Sequence, residues 1–420
     1  MTVIETVPVT ADASPAGRCP FARLPEKPRF PFVGDVEVEP TPLYAALREE
    51  RPVFEVTTPE GKRAWLVTRY RDAKLVLTDN RFTREGTLDE RTVQAMGVTG
   101  PGGRSALIYA DPPMLTDARK LISHHFNASR VAALRPLAQS IVDELIDTMT
   151  TTGAPADVLT GFARPLPIRI ICALLGIPFS ESEQIRESVD VLMTVTGRGP
   201  DEIRDAFMHA YGYLGTLVAA RRAAPADDLV SDLIRTEETD DPLTDGELIG
   251  LAMLLFVTGH ETTMTQIANS VYTLLQQPDQ WALLRDDLTL LDTAIEELLR
   301  FVPLGHAGLP FAASEDVDVA SVRINRGDLV YVSKLSANRD ESVFPVAHRL
   351  DLTRTPNKHV AFSHGPHYCL GASLARMELQ VAIGTLVRRL PDLRLAVDQS
   401  ELTWRTDSIQ RGPAALPVAW

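Results

Sequence analysis

The stretch from Thr244 to the residue before Pro278 constrains this chain more than any other. Thr244 and Glu247 stand in the S/T-x-x-E spacing of a capping box, and Asp245 adds negative charge beside the positive end of a helix. No proline intervenes before Pro278, so the pattern predicts a helix of ~33 residues, about 50 Å long at 1.5 Å per residue. Its first half, LIGLAMLLFVTG, is apolar nearly all round and requires burial on every side. A buried helix of that length crosses a whole domain, so the rest of the chain must supply a helical body to wrap it. Polarity then breaks in abruptly at Gly259-His260-Glu261-Thr262-Thr263. Such a break marks a polar pocket beside the helix, or threonine hydroxyls bonding back to i−4 carbonyls and bending it. His260 is expected on the outer helix face.

The surrounding sequence agrees with a helical body. From about Leu115 to Arg300 the apolar spacing is helical almost throughout, punctuated by Pro165, Pro178 and Pro200. Strand-like runs lie near the chain ends, at Val53–Val56, Ala64–Thr68, Val317–Val319, Leu329–Val332, Leu393–Ala396 and Leu402–Arg405. Residues 1–31, rich in Pro and Ala without helical period, are expected to form an arm. Residues 32–420 carry no repeat and no Gly/Ser linker, which predicts one large, mainly α domain with small β-sheets. The Gly-rich segment Gly86–Arg104 reads as a long loop or lid.

A net charge of −14 argues against a nucleic-acid partner. No uninterrupted apolar run approaches the ~18 residues of a membrane span, and the start lacks a secretory pattern. Three scattered cysteines, Cys19, Cys172 and Cys369, make no disulfide framework and fit a reducing compartment. A cytoplasmic chain without membrane attachment is expected.

One cysteine has chemical surroundings. The segment FSHGPHYCLG runs directly into the amphipathic ASLARMELQVAIGTLVRRL, placing Cys369 just ahead of a helix whose N-terminal amides favour an anion. That environment suits a thiolate, as nucleophile or metal ligand. Gly365 and Pro366 enforce a turn, Gly371 lets a flat group approach the backbone, and His367 can donate to an anionic edge.

The loop resembles that of the cytochrome P-450 family of haem-thiolate mono-oxygenases, F-G-x-G-x-H/R-x-C-x-G, matched at Phe362, Gly365, His367, Cys369 and Gly371. Ser363 departs from it, where glycine is usual. Glu297-Leu298-Leu299-Arg300 resembles the family's E-x-x-R, and the segment Thr258–Thr263 its oxygen-activation motif on the long helix. The resemblance implies the P-450 fold, with haem b held between the long helix and the cysteine helix. It further implies Cys369 as the iron ligand, Thr262 hydrogen-bonding bound oxygen, Glu261 relaying protons, and Arg349 joining Glu297 and Arg300 in a buried structural network. Arg119 and His367 would meet the haem carboxylates. Two usual donor positions are lost, to Leu115 and Phe311, leaving Lys120, His306 or backbone as substitutes. The pocket wall would include Leu254, Val257, Thr258, His306, Ala307 and Ile409, with segments 86–104 and 177–205 as its lid.

By the same resemblance the chain is expected to be a monomeric enzyme that hydroxylates a bulky secondary metabolite with O2. NAD(P)H would supply electrons through a ferredoxin reductase and a ferredoxin. Arg119, Lys120, Lys358 and Arg376 are the basic residues expected to meet the ferredoxin. Oxidative C–C or C–O coupling of an aromatic or cyclic-peptide substrate is the alternative. A haem gas sensor fits less well, since a sensor has no need of the Glu261–Thr262 pair. The adjacent His124 and His125 are expected to face different sides of a helix and to bind no metal.

Overall fold

Thr244 caps the long helix as its sequence requires. Its side chain accepts from the Glu247 amide while Glu247 reaches back to the Thr244 amide, and the helix runs from Asp245 to Leu275, 31 residues. The computed structural model describes residues 28, 30, 40–58, 61–85, 87, 105, 107–194, 198–235, 242–302, 304–305, 308–405 and 410–420. The chain forms two compact units. One comprises Met1–Thr87 with Glu296–Cys369, and the other Leu88–Ile295 with Leu370–Trp420.

The second unit is built round the long helix. Helices Pro165–Leu175, Pro200–Ala223 and Ala372–Arg389 pack against it, and Ala128–Thr152 packs against the last of these. The helix is long and apolar enough to suit a bilayer, yet 67% of its most apolar window is buried against protein. Gly259 sits at a close contact, since a Cβ there would lie 2.9 Å from Ile171 Cδ1. A small sheet orders Ala156–Asp157, Pro417–Ala419 and Arg394–Leu395.

The first unit carries a five-stranded sheet in the order Val53–Thr57, Arg63–Val67, Leu329–Val332, Phe311–Ala313, Phe82–Thr83. Arg63–Val67 pairs with Leu329–Val332 in parallel, placing Leu66 opposite Tyr331. Alternate residues of these strands, among them Val67, Val330 and Val332, fill an apolar core with Phe311 and Val360. Phe30 joins a second cluster with Tyr44, Leu47 and Phe54. The Phe30 amide donates to the Thr57 carbonyl, and the Thr57 amide to that of Pro28.

Helices dominate and the sheets are small, as the spacing predicts. Strands 317–319 and 329–332 lie where the alternation places them. Leu402–Arg405 is a correction. It makes only an isolated bridge between Trp404 and Pro413, enclosed by two bonds in which the Arg405 amide donates to the Gly412 carbonyl and the Ala414 amide to that of Thr403. Within 177–205, Ser182–Met193 is helical and the helix Pro200–Ala223 begins. Residues 86 and 88–104 lie outside the described residues.

Candidate active site

In the first unit, the Cys369 loop is held by its backbone. Asn338 Oδ1 accepts from the Val360 amide at 2.8 Å. The Ser363 amide donates to the Val360 carbonyl and the Cys369 amide to that of Phe362. Ser363 and Gly365 both adopt left-handed backbone, at φ 67° and 70°. For serine that geometry costs ~1–2 kcal/mol, which explains why glycine is usual in this loop position. Gly365 is required, since a Cβ there would stand 2.4 Å from the Leu77 carbonyl oxygen. Cys369 is exposed, three residues ahead of the helix Ala372–Arg389, which Gly371 caps. Cys172, by contrast, is buried, and burial pushes its thiol up to about 12, leaving it protonated and inert.

Phe311, at one lost donor position, lies under a cation. The Arg84 guanidinium sits 3.7 Å from its ring centroid and donates to the Pro310 carbonyl at 2.7 Å. His367 meets the same ring edge-on, with centroids 6.2 Å apart. Lys334 lies in the same neighbourhood. Burial and the charge of Arg84 push its ammonium below the ordinary lysine value, while Cys369 pulls it back up. Sequence reasoning missed both Arg84 and Lys334, because neither belongs to a local pattern. Lys120 pairs instead with Asp117 at the surface, at 2.9 Å, and Leu115 is buried among apolar neighbours. His306 and Ala307 lie outside the described residues.

The Glu297 network is also in this unit, with a different third member. Arg300 donates to both Glu297 oxygens at 2.7 Å, and both side chains are 0% exposed. Arg354 Nε reaches the same carboxylate at 3.1 Å, with Asn357 at 3.0 Å and the Asp351 amide at 2.9 Å. Arg349, expected here, is exposed and offers only its carbonyl, which accepts from Arg300 at 3.3 Å. The turn through Val346, at φ 52°, directs the Arg349 side chain outward, and the chain returns five residues later with Arg354.

In the second unit, the long helix stays continuous through its polar segment. Thr258 donates to the Leu254 carbonyl and Thr262 to that of Thr258, each at 2.7 Å. These are the i−4 back-bonds anticipated above. Leu254, Val257, Thr258 and Thr262, at helical spacing, form a partly exposed stripe on a helix otherwise largely buried. Glu261 is buried and receives Arg405 Nη1 at 2.7 Å, while Arg405 Nη2 donates to Thr265 Oγ1 at 2.8 Å. His260 does not face outward. It is 1% exposed and donates Nδ1–H to the Phe256 carbonyl at 2.8 Å. Its donor atoms lie within 4.8 Å of those of Asp190 and Glu261. Burial holds its pKa below the ordinary histidine value, so the ring is neutral. Arg119 is half-buried on the helix Met114–Ser123. Ile409 lies outside the described residues.

The cysteine helix hides a further acid. Glu378 is 1% exposed and its Oε2 makes no hydrogen bond. Burial raises its carboxyl well above the usual range, so the folded chain holds a proton that the unfolded chain releases. Its contribution to stability is therefore complete below the ordinary Glu value and falls as pH rises through the window up to the raised one. The slope is at most about 1.4 kcal/mol per pH unit. Glu378→Gln should flatten that dependence and stabilise the chain most at the alkaline end, as read from urea midpoints at several pH values.

The thiol, imidazole and cations of the first unit suit haem b, a flat dianionic group carrying a metal. The exposed sulfur would hold that metal, and Arg84 and Lys334 would supply charge where Phe311 has none. The family model for cytochrome P-450 matches residues 282–392. Nocardicin C N-oxygenase of Nocardia uniformis subsp. tsuyamanensis is 44% identical, over 93% of this chain and 98% of its own. Mycinamicin IV hydroxylase/epoxidase of Micromonospora griseorubida is 43% identical, over 90% and 94%. The crystal structure of the cytochrome P-450 hydroxylase from the leinamycin biosynthetic pathway of Streptomyces atroolivaceus S-140 superposes with a TM-score of 0.86. It is 42% identical and covers 93% of this chain and 100% of its own. With that identity along nearly its whole length, the chain belongs to the cytochrome P-450 family of haem-thiolate mono-oxygenases.

Proposed function

We propose that this mono-oxygenase hydroxylates a bulky secondary metabolite of moderate polarity. NAD(P)H supplies two electrons through a ferredoxin reductase and a ferredoxin. Substrate C–H, O2, two electrons and two protons become C–OH and water. The observation that carries the reading is the partly exposed stripe Leu254, Val257, Thr258 and Thr262, apolar with two hydroxyls, beside the buried acid Glu261. Relatives named for nocardicin C and mycinamicin IV support a substrate of that class.

Cys369 would hold the haem iron, with His367, Arg84, Lys334 and Arg119 serving the haem carboxylates. Haem bound through thiolate supplies the activation of O2. The chain's own residues then manage protons. Thr262, donating to the Thr258 carbonyl, keeps its oxygen lone pairs to accept from a water at the stripe. Glu261 is the proton carrier, and Arg405, anchored on Thr265, sets its resting position. His260 stays neutral beside it. Lys358 and Lys120, both exposed, offer basic charge to an acidic ferredoxin.

A panel of macrolide, terpenoid and cyclic-peptide compounds, screened by the iron spin-state shift, should yield ligands. Their products should carry one atom from isotopically labelled O2. Products formed without label would overturn hydroxylation in favour of oxidative coupling. With such a substrate, Thr262→Ala should divert NAD(P)H consumption to peroxide. Glu261→Gln should slow turnover ~100-fold with a larger solvent isotope effect. Unchanged coupling and rate in both variants would make the polar segment structural only.

A further inference from the structure

Helix Met114–Ser123 ends in Ser-His-His-Phe, and the backbone tightens into a 3-10 turn over His124–Phe126. Side chains that a continuing α-helix would splay apart are brought together there, with ring centroids 3.9 Å apart. Asp232, from the helix Leu229–Arg235, completes a cluster whose donor atoms all lie within 4.8 Å of one another.

We propose that His124, His125 and Asp232 form a divalent-metal site, best suited to Zn2+, that ties the end of the Arg119-bearing helix to the helix Leu229–Arg235. His125 is 4% exposed, and its Nε2 makes no hydrogen bond. That nitrogen stands 3.7 Å from Asp232 Oδ2. The separation is too long for a direct hydrogen bond, but close to the ~3.3 Å between two ligand atoms in a tetrahedral zinc shell of ~2.0–2.1 Å bonds.

The carboxylate is itself held by neighbouring cations. Arg235 bonds Asp232 Oδ1, which orients the carboxylate and leaves Oδ2 toward the histidines. Arg130, 3.9 Å from Oδ2, is half exposed and can swing into solvent as a cation enters. His124 is exposed, giving a path in and leaving a fourth position for water. Two imidazoles and one carboxylate favour Zn2+ over the oxygen-seeking Mg2+ and Ca2+. The ion would stiffen the helix that carries Arg119.

The test uses tag-free, haem-loaded protein stripped with a chelator and titrated with Zn2+ by calorimetry. One ion per chain should bind at micromolar affinity or tighter, and Tm should rise by several degrees. His124→Ala, on the exposed side, should weaken binding at least ~10-fold without loss of fold, and Asp232→Asn or His125→Ala ~100-fold. His348→Ala, at an exposed histidine elsewhere, should change nothing. Binding that survives both His124→Ala and Asp232→Asn would overturn the site. So would the absence of micromolar binding in the parent chain, or binding lost on His260→Ala, which would place the ion at the Asp190–His260–Glu261 cluster instead.

Discussion

Glu297→Ala should cost roughly 3–5 kcal/mol and leave little folded, haem-loaded protein. The carboxylate receives Arg300 on both oxygens, Arg354, Asn357 and the Asp351 amide. Removing it leaves a guanidinium of 0% exposure without its counter-charge, and releases the turn that Asp351 and Arg354 close. Arg300 would keep its bonds to the Asn338 and Ala347 carbonyls, at 2.8 and 2.9 Å, but these do not neutralise it. A typical domain holds only ~5–15 kcal/mol in total, so the loss is a large share. The arginines provide the sharper comparison. Arg354→Ala should lower the unfolding midpoint clearly, whereas Arg349→Ala, exposed and bonded through its backbone, should stay within ~0.5 kcal/mol of the parent. Equal effects of the two, or a Glu297→Ala chain that melts normally, would refute the network as described.

Cys369→Ser should abolish the long-wavelength Soret band of the reduced CO complex and, with it, mono-oxygenase turnover. That band requires a thiolate ligand on the iron, a role Cys369 would fill, and a serine hydroxyl is far too weak an acid to replace it. Cys172→Ala is the matched control. Its thiol, pushed up to about 12 by burial, is protonated in the folded chain, so the spectrum should remain even if some stability is lost. A folded Cys369→Ser protein that kept the band would transfer the ligand role elsewhere. Arg84→Leu tests the neighbouring cation separately and should weaken haem retention while the band, in whatever haem remains, keeps its position.

Much of this protein was legible in one dimension because the responsible interactions span few residues. The Thr244–Glu247 capping box closes over three residues, Glu297 and Arg300 meet one helical turn apart, and the loop from Phe362 to Cys369 closes on its own amide. Sequence alone therefore determined the long helix, the Glu297–Arg300 pair, the cysteine loop and the family. It also marked Ser363 as a departure, though only the backbone showed its left-handed strain.

What the tertiary structure decided is which distant group answers each local one. Arg405 reaches Glu261 across 144 positions of sequence, and Arg84 covers Phe311 after bonding a carbonyl 226 positions away. Arg354 displaces Arg349 because the turn at Val346 chooses which guanidinium points inward. His260 proved buried, and His124 and His125 proved adjacent, because packing and a tightened final turn override the angles an isolated α-helix would impose. Helical periodicity and capping are properties of a few consecutive residues. A long-range charge partner is selected by the packing that brings two segments together, and that selection leaves no spacing in the sequence to read.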